Sequence, residues 1–317
     1  MRRQQAFGGR EKMLKGALHC HSTRSDGRNT PEEVIRAHYT LGYDFIALTD
    51  HNIYNYKHFV PEVPLTVIPG MEFETLEFCV DGKGGYRGYH SGCIGPLKED
   101  GNGIEQDEFF DRMKLKHTEE GLFEYLAEFR EKGNFTIINH PEWSNVNTGL
   151  MQKRTGDIAM EIWNTGCAVR HDSDRSAAYW DDLLGLGKVL YGVAVDDSHF
   201  AFDWGGGWVM VRAQNDIRSI LEALKEGRFY SSCGPEIYDF YVEDDVAVVE
   251  CSSAAMVSFH SDMHMGYVIR SIRGDITRVE YDFKKNDTGY GNYIRAMVVD
   301  TKGRQAWTNP IFFDEKG

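Results

Sequence analysis

Long apolar runs are missing from this chain. No stretch approaches the roughly 20 residues that a helical membrane span requires, so no membrane association is expected. The opening segment, MRRQQAFGGREKM, is charged and has no apolar centre, which makes it a poor secretory leader. We read residues 1–13 as a mobile leader, with Met13 a second candidate start. Cysteine is scarce and scattered. The six residues Cys20, Cys79, Cys93, Cys167, Cys233 and Cys251 form no C-x-x-C pair, which argues against a cysteine-rich structural zinc site. Sparse thiols of this kind fit a reducing, cytoplasmic setting.

Basic residues are in deficit. Lys and Arg number 35 against 49 Asp and Glu, a net charge of -14. A protein that coats nucleic acid needs a basic stripe, so no large nucleic acid is expected as partner. The acidity reads as ordinary solubility, and a local cationic pocket is still able to bind one phosphate. The glycine-rich Gly82–Gly88 segment has no GKS/T signature. A phosphate cradle is therefore not expected there; a flexible lid or hairpin is. Trp204–Trp208, which frames three glycines, reads as a second mobile rim.

What the chain does have is alternation. Strand-like runs occur at Leu14–His19, Phe45–Thr49, Leu65–Pro69, His90–Ile94, Phe135–Asn139, Ile158–Trp163 and Val189–Val195. Thr30-Pro31-Glu32-Glu33 is a helix start, with Thr30 as cap and Glu33 closing a capping box. Residues 106–131 carry apolar positions suited to one or two amphipathic helices, and 174–186 and 216–226 read as helices. Alternating strands and helices imply a parallel sheet or barrel. From about Pro235 the helical period disappears, and residues 235–317 read as a small β-sandwich of short strands.

The chemistry sits at the ends of those strands. His19 and His21 in LHCHS, Asp26 in SDG, His51 in LTDH, Glu72 in PGMEFE, His90 in YHSG, His140 in INHPEW, and Asp197 and His199 in VDDSH are nine metal-type side chains. Barrel architectures gather functional groups at the C-terminal ends of their strands. On an extended strand, residues i and i+2 share a face, so His19 and His21 can grip one ion while Cys20 points away. One H-x-H is weak; a further ligand type at strand after strand points to a multinuclear centre and metal-assisted hydrolysis.

LHCHSTRSDG, ALTDHN, PGMEFE, His90, INHP and DDSH, taken in order, resemble the successive motifs of the polymerase-and-histidinol-phosphatase (PHP) metallohydrolases over about residues 14–230. The resemblance implies an α/β fold, a distorted seven-stranded (β/α) barrel of PHP type, with the β-sandwich appended. It implies three ion sites: His19, His21, Glu72 and Asp197; then Glu72 with His90 and His140; then Asp26, His51 and His199. Many relatives carry histidine where this chain has Asp26. The tail, SSCGPEI and YIRAMVVDTKGRQAWTNPIFF, resembles the CehA/McbA-like branch, which includes carbamate- and amide-cleaving enzymes.

The expected cofactors are two or three divalent ions, with Mn, Fe or Zn all suited to N and O ligands. Three ions bring roughly +6; Glu72, Asp26, Asp197 and a bridging hydroxide subtract about four, leaving about +2, a match for a phosphomonoester dianion. The expected enzyme is a metal-dependent phosphoesterase acting on a small phosphomonoester, a nucleotide among the candidates, through a metal-bridging hydroxide. Asp197 and His199 are the candidates for proton relay, besides ligation. Arg24, Arg170 and His171 are candidate substrate-binding cations. Asp50, Asp196 and Asn139 are candidates for orienting ligands. The alternatives are a carbamate, amide or ester hydrolase of the CehA/McbA kind and a non-catalytic metal-stabilised module. Oligomeric state is left open.

Overall fold

The computed structural model describes residues 4–7, 12–78, 86–262, 266–282 and 291–313. Cys79 and most of the Gly82–Gly88 segment lie outside them. In order the chain forms β1 (Gln4–Gln5), β2 (Met13–Ala17), α1 (Pro31–Thr40), β3 (Phe45–Ala47), β4 (Thr66–Ile68), β5 (Gly70–Phe78) and β6 (Tyr86–Ile94). Then follow α2 (Glu119–Glu131), β7 (Phe135–Ile138), α3 (Thr148–Lys153), β8 (Asp157–Asn164), α4 (Thr165–His171), α5 (Ala177–Gly185), β9 (Tyr191–Val195), β10 (Trp208–Arg212), α6 (Ile217–Lys225) and β11 (Phe229–Ser232). Every later described element is a strand: β12 (Ile237–Glu243), β13 (Val246–Ala254), β14 (Met256–His260), β15 (Tyr267–Arg270), β16 (Ile276–Asp282), β17 (Tyr293–Val299), β18 (Gln305–Thr308) and β19 (Ile311–Phe312).

Local chemistry explains the helices. Thr30 caps α1 through a complete capping box, with Pro31 in the first turn, and Val34, Ile35 and His38 turn inward. Asp216 caps α6, whose Ile220, Leu221 and Leu224 are buried. The helix expected across 106–131 begins only at Glu119, where Thr118 supplies the cap. The residues before it are tied to the His51–Asn55 segment instead, with Tyr54 N to Glu108 O at 3.0 Å and Phe110 N to Asn52 O at 2.9 Å. Backbone pairing there overrides the helical pattern.

All seven expected strands of the first part exist, but they do not close into a barrel among the described residues. β2, β3 and β4 run parallel. β5, β6 and β7 are antiparallel, and β7, β8 and β9 parallel again. They are divided between two sheets, one of order β5-β6-β7-β8-β9 and one in which β4-β3-β2 continues through β10 and β11 into β18, β17, β14 and β15. β10 and β11, which pair antiparallel with their neighbours, carry the sheet away from closure. The C-terminal strands therefore extend the first sheet instead of standing apart, since β11 pairs with β18. A four-stranded sheet of β1, β12, β13 and β16 covers that extension, with Phe240, Val249, Val257, Phe259 and Ala296 in the apolar layer.

The leader is partly anchored. β1 pairs with β12, Phe7 is buried against Tyr230, and Arg212 Nε donates to Phe7 O at 3.2 Å. A buried aromatic ring fixes residues 4–7, where the charged neighbours predict mobility. Among the described residues, no helix is long and apolar enough to cross a membrane, and five free cysteines are buried.

Candidate metal centre

The two sheets meet where their parallel strands end. The segment leaving β2 binds the segment leaving β9 through His21 N to Ser198 O at 3.0 Å and Asp197 N to His19 O at 3.1 Å. The segment leaving β3 binds β5 through Asn52 N to Glu72 O at 2.8 Å. Backbone hydrogen bonds thus fix the side chains of four separated motifs before any ion is considered. Asp197 takes a left-handed backbone conformation, φ +48, which aspartate tolerates better than most residues.

All nine sequence-derived residues converge. Ligand atoms of His19, His21, Glu72 and Asp197 lie within 4.8 Å of one another, as do those of His51, Glu72 and His90, and those of His21, Asp26, His51 and His199. His140 joins through Nε2, 3.0 Å from Glu72 Oε1. Glu72 is the hub, with Oε2 3.3 Å from the Nε2 atoms of both His19 and His21 and 3.1 Å from His51 Nδ1. Asp26 lies 3.3 Å from His199 Nε2 and 3.7 Å from His51 Nε2, at the exposed rim.

The electrostatics are those of a pocket that demands positive charge. Burial pushes the Glu72 carboxyl up, but the His19, His90 and His51 imidazoles outweigh it and hold the group well below the usual carboxylate range. Burial likewise works against a charged His21, yet Asp197 and Glu72 raise it to about 10. Three buried polar atoms, Glu72 Oε2, Asp197 Oδ1 and His51 Nδ1, have no hydrogen-bond partner. Orphaned buried acceptors are costly, and these sit inside the ring of imidazoles. The donor set of N and O atoms fits divalent ions.

Two carboxylates behind the ring were not picked out from sequence. Glu161 Oε1 is 2.6 Å from His19 Nδ1, and Glu74 Oε2 is 3.4 Å from His90 Nε2. An imidazole that ligates through one nitrogen commonly donates its other N–H to a carboxylate. Glu74 was legible in principle, two residues from Glu72 on one strand face; Glu161 was hidden inside MEIWN, which reads as plain strand. Asn139 Nδ2 donates to Glu72 Oε1 at 2.9 Å, as an orienting residue should. Asp50 instead gathers Ser22, Ser25 and Asn55, organising the turn around His21. Asp196 accepts from the backbone N–H groups of Gly205, Gly206 and Gly207 at 2.7–2.8 Å. The Trp204–Trp208 segment is therefore clamped, not the mobile rim its glycines suggested.

Two cavities open from the centre. One of about 410 Å³ is lined by Arg28, Arg170, His171, Trp143 and Phe200 beside the histidines. The other, about 680 Å³, shares Asp26, His51, His90 and Trp143 and extends past Glu74, Arg112, Ser144 and Asn145. Arg170 and His171 thus line the centre. Arg24 does not; its guanidinium is paired with Asp107 and lies 5.5 Å from the centroid of Phe59. Arg28, unmentioned by sequence reasoning, lines the cavity in its place.

Residues 17–137 match the family model of the PHP domain. The match takes in His19 to His90; His140, Asp197 and His199 lie beyond it. Among solved structures the chain is similar to a two-domain protein containing a predicted PHP-like metal-dependent phosphoesterase from Bacteroides vulgatus, at 17% identity over 92% of this chain and 91% of that one, TM-score 0.47. It is also similar to an amidohydrolase from Chromobacterium violaceum, at 15% identity over 59% and 88% of the two chains, TM-score 0.40. A protein described as a metal-dependent phosphoesterase from Bifidobacterium adolescentis shows 15% identity over 58% and 87%, TM-score 0.38. No curated protein matches the chain in sequence. Over residues 17–137, less than half of its length, the chain is similar to the PHP domain.

Proposed function

We propose that this chain is a metal-dependent hydrolase of small phosphomonoesters, with its hydrolytic unit spanning residues 14–234. The observation that carries the reading is the sharing of Glu72, His21 and His51 between overlapping ligand groups, the arrangement a multinuclear centre requires. His19, His21, Glu72 and Asp197 would hold one ion, Glu72, His90 and His140 a second, and Asp26, His51 and His199 a third. Bound divalent ions supply the charge that acidifies water and stabilises anionic oxygens. Glu161, Glu74 and Asn139 keep the inner side chains oriented. Arg170 and His171 face the substrate from the wall of the smaller cavity, and Arg28 is a third cation there. His199 and Asp197, at the junction of centre and cavity, are the groups placed to hold a proton during transfer.

Charge supports an anionic substrate, though less simply than the inner ligands suggest. Glu161 and Glu74 add two carboxylates and bring a three-ion centre from about +2 to near neutral; Arg112, paired with Glu74 at 2.7 Å, and Arg28 at the cavity wall restore about +2, while Arg170 is balanced by Asp203. The neutralised centre favours, as a second reading, an uncharged carbamate, amide or ester of the CehA/McbA kind.

The test is phosphate release from p-nitrophenyl phosphate and nucleotides after separate loading with Mn, Fe or Zn, beside cleavage of an aryl carbamate. Turnover of phosphates that stops with chelator supports the first reading; carbamate turnover without phosphate turnover transfers the case to the second. His19→Ala and Glu72→Gln should each abolish turnover while circular dichroism stays native, and an unaltered rate in either removes the centre from the chemistry.

A further inference from the structure

Trp143 is placed unlike any other large apolar residue near the centre. It is 46% exposed, yet its backbone is fixed. Asp174, fully buried, accepts from Trp143 N at 2.8 Å and from Glu142 N at 2.9 Å. Asp174 N in turn donates to Glu142 Oε2 at 2.6 Å. Ser144 N to His140 O at 3.1 Å and Val146 N to Pro141 O at 2.9 Å close the turn. The indole meets His90 and His140 edge to face, with centroids at 5.5 and 5.1 Å, and it lines both cavities.

A buried carboxylate spent on two backbone N–H groups is an expensive way to hold a surface loop. Here it presents an aromatic ring at the junction of two cavities, beside the ion-binding histidines. Phe200 lines the smaller cavity with it. Rigid indoles in such positions bind flat rings by stacking, worth about 0.5–1.5 kcal/mol in aromatic pairs and so roughly two- to tenfold in affinity.

We infer that Trp143 is a specificity-determining residue that selects substrates carrying a planar ring on the group next to the scissile bond. The inference rests on the proposed hydrolytic centre for its location, and names the substrate class of that centre: aryl or heteroaryl esters over alkyl ones. Nothing in it depends on whether the scissile bond is to phosphorus or to carbon.

The test uses the metal-loaded full chain and two pairs of probes. Phenylphosphonate should bind roughly two- to tenfold more tightly than methylphosphonate by calorimetry, and quench indole fluorescence where methylphosphonate does not. Trp143→Ala should erase that preference and the quench, and Trp143→Phe should restore most of the preference. The ring makes no backbone hydrogen bond of the loop, so both variants keep it. If neither phosphonate binds, the phosphoester reading fails, and cleavage of phenyl acetate against ethyl acetate takes their place. A ring preference lost in Trp143→Ala then sustains the inference alone. Equal handling of ring and alkyl members in both pairs, or a Trp143→Ala variant that weakens both members alike, overturns it.

Discussion

Glu161 Oε1 sits 2.6 Å from Nδ1 of His19, both groups buried. The opposite nitrogen of the same imidazole faces Glu72 and Asp197. The second oxygen of Glu161 accepts from His140 N at 2.9 Å and from Asn164 Nδ2 at 2.9 Å. One carboxylate thus orients His19, the start of the His140 turn and, through Asn164, Asp197 itself. We expect Glu161→Gln to lower metal affinity about 10- to 100-fold, read as ions retained after dialysis against a weak chelator. A variant that keeps its full complement of ions would show that the contact orients nothing.

A second expectation concerns the seam between α5 and the C-terminal strands. Arg295, 1% exposed, donates through Nε to Asp181 at 2.7 Å and stacks 4.9 Å from the centroid of Trp180. Tyr293 hydroxyl donates to the same carboxylate at 3.1 Å. Arg295 is buried while the Asp181 side chain is 29% exposed; Asp181→Ala leaves the buried guanidinium unpaired and should cost about 2 kcal/mol in urea unfolding. Asp181→Leu with Arg295→Met should recover much of that loss. If the double variant is no better than the single, the pair is not the source.

Acid stability offers a third. His38 is fully buried on α1, its Nδ1 2.8 Å from Val34 O, with Tyr43 and Trp204 against the ring. Burial, with Lys15 nearby, lowers its pKa from 6.5 to about 4. The folded state therefore refuses a proton that the unfolded chain accepts. The stabilisation is complete above pH 6.5 and is lost as pH falls from 6.5 to about 4, on the order of 3 kcal/mol across the window. Chemical denaturation of His38→Gln should show a shallower loss between pH 7 and pH 4.5 than the parent, and parallel curves would refute the assignment.

Gly207 tests the clamp beneath the centre. A Cβ there would lie 2.7 Å from Val195 O and 3.0 Å from Val195 N, too close to backbone to be relieved by a side-chain swing. Gly207→Ala should displace the end of β9 and with it Asp197, lowering both the melting temperature and ion retention. A melting temperature within a degree of the parent would show that the segment yields.

The nine-residue constellation was legible because metal ligands announce themselves by residue type at strand ends, and because period-two geometry makes His19 and His21 neighbours. Of the partners behind them, Asn139 was legible and orients Glu72, but Glu161 resembles any strand glutamate. Asp196, a candidate for orienting a ligand, and Asp174, which no motif marks, both act on backbone N–H groups. Arg24 and Arg28 look equivalent in sequence; only the fold puts Asp107 beside one and the cavity beside the other. The seven expected strands exist, but β5, β10 and β11 were not among them, and sheet closure depends on β10 and β11 and on the distant β18, pairings to which alternation is blind.

The β11–β18 pairing sets an order of events during biosynthesis. Residues 229–232 leave the ribosome long before residues 305–308, so the nascent chain passes through a stage in which the edge of β11 is bare. Exposed strand edges recruit foreign strands. Chaperone dependence should therefore peak in chains arrested between these two segments and fall once Gln305–Thr308 emerges.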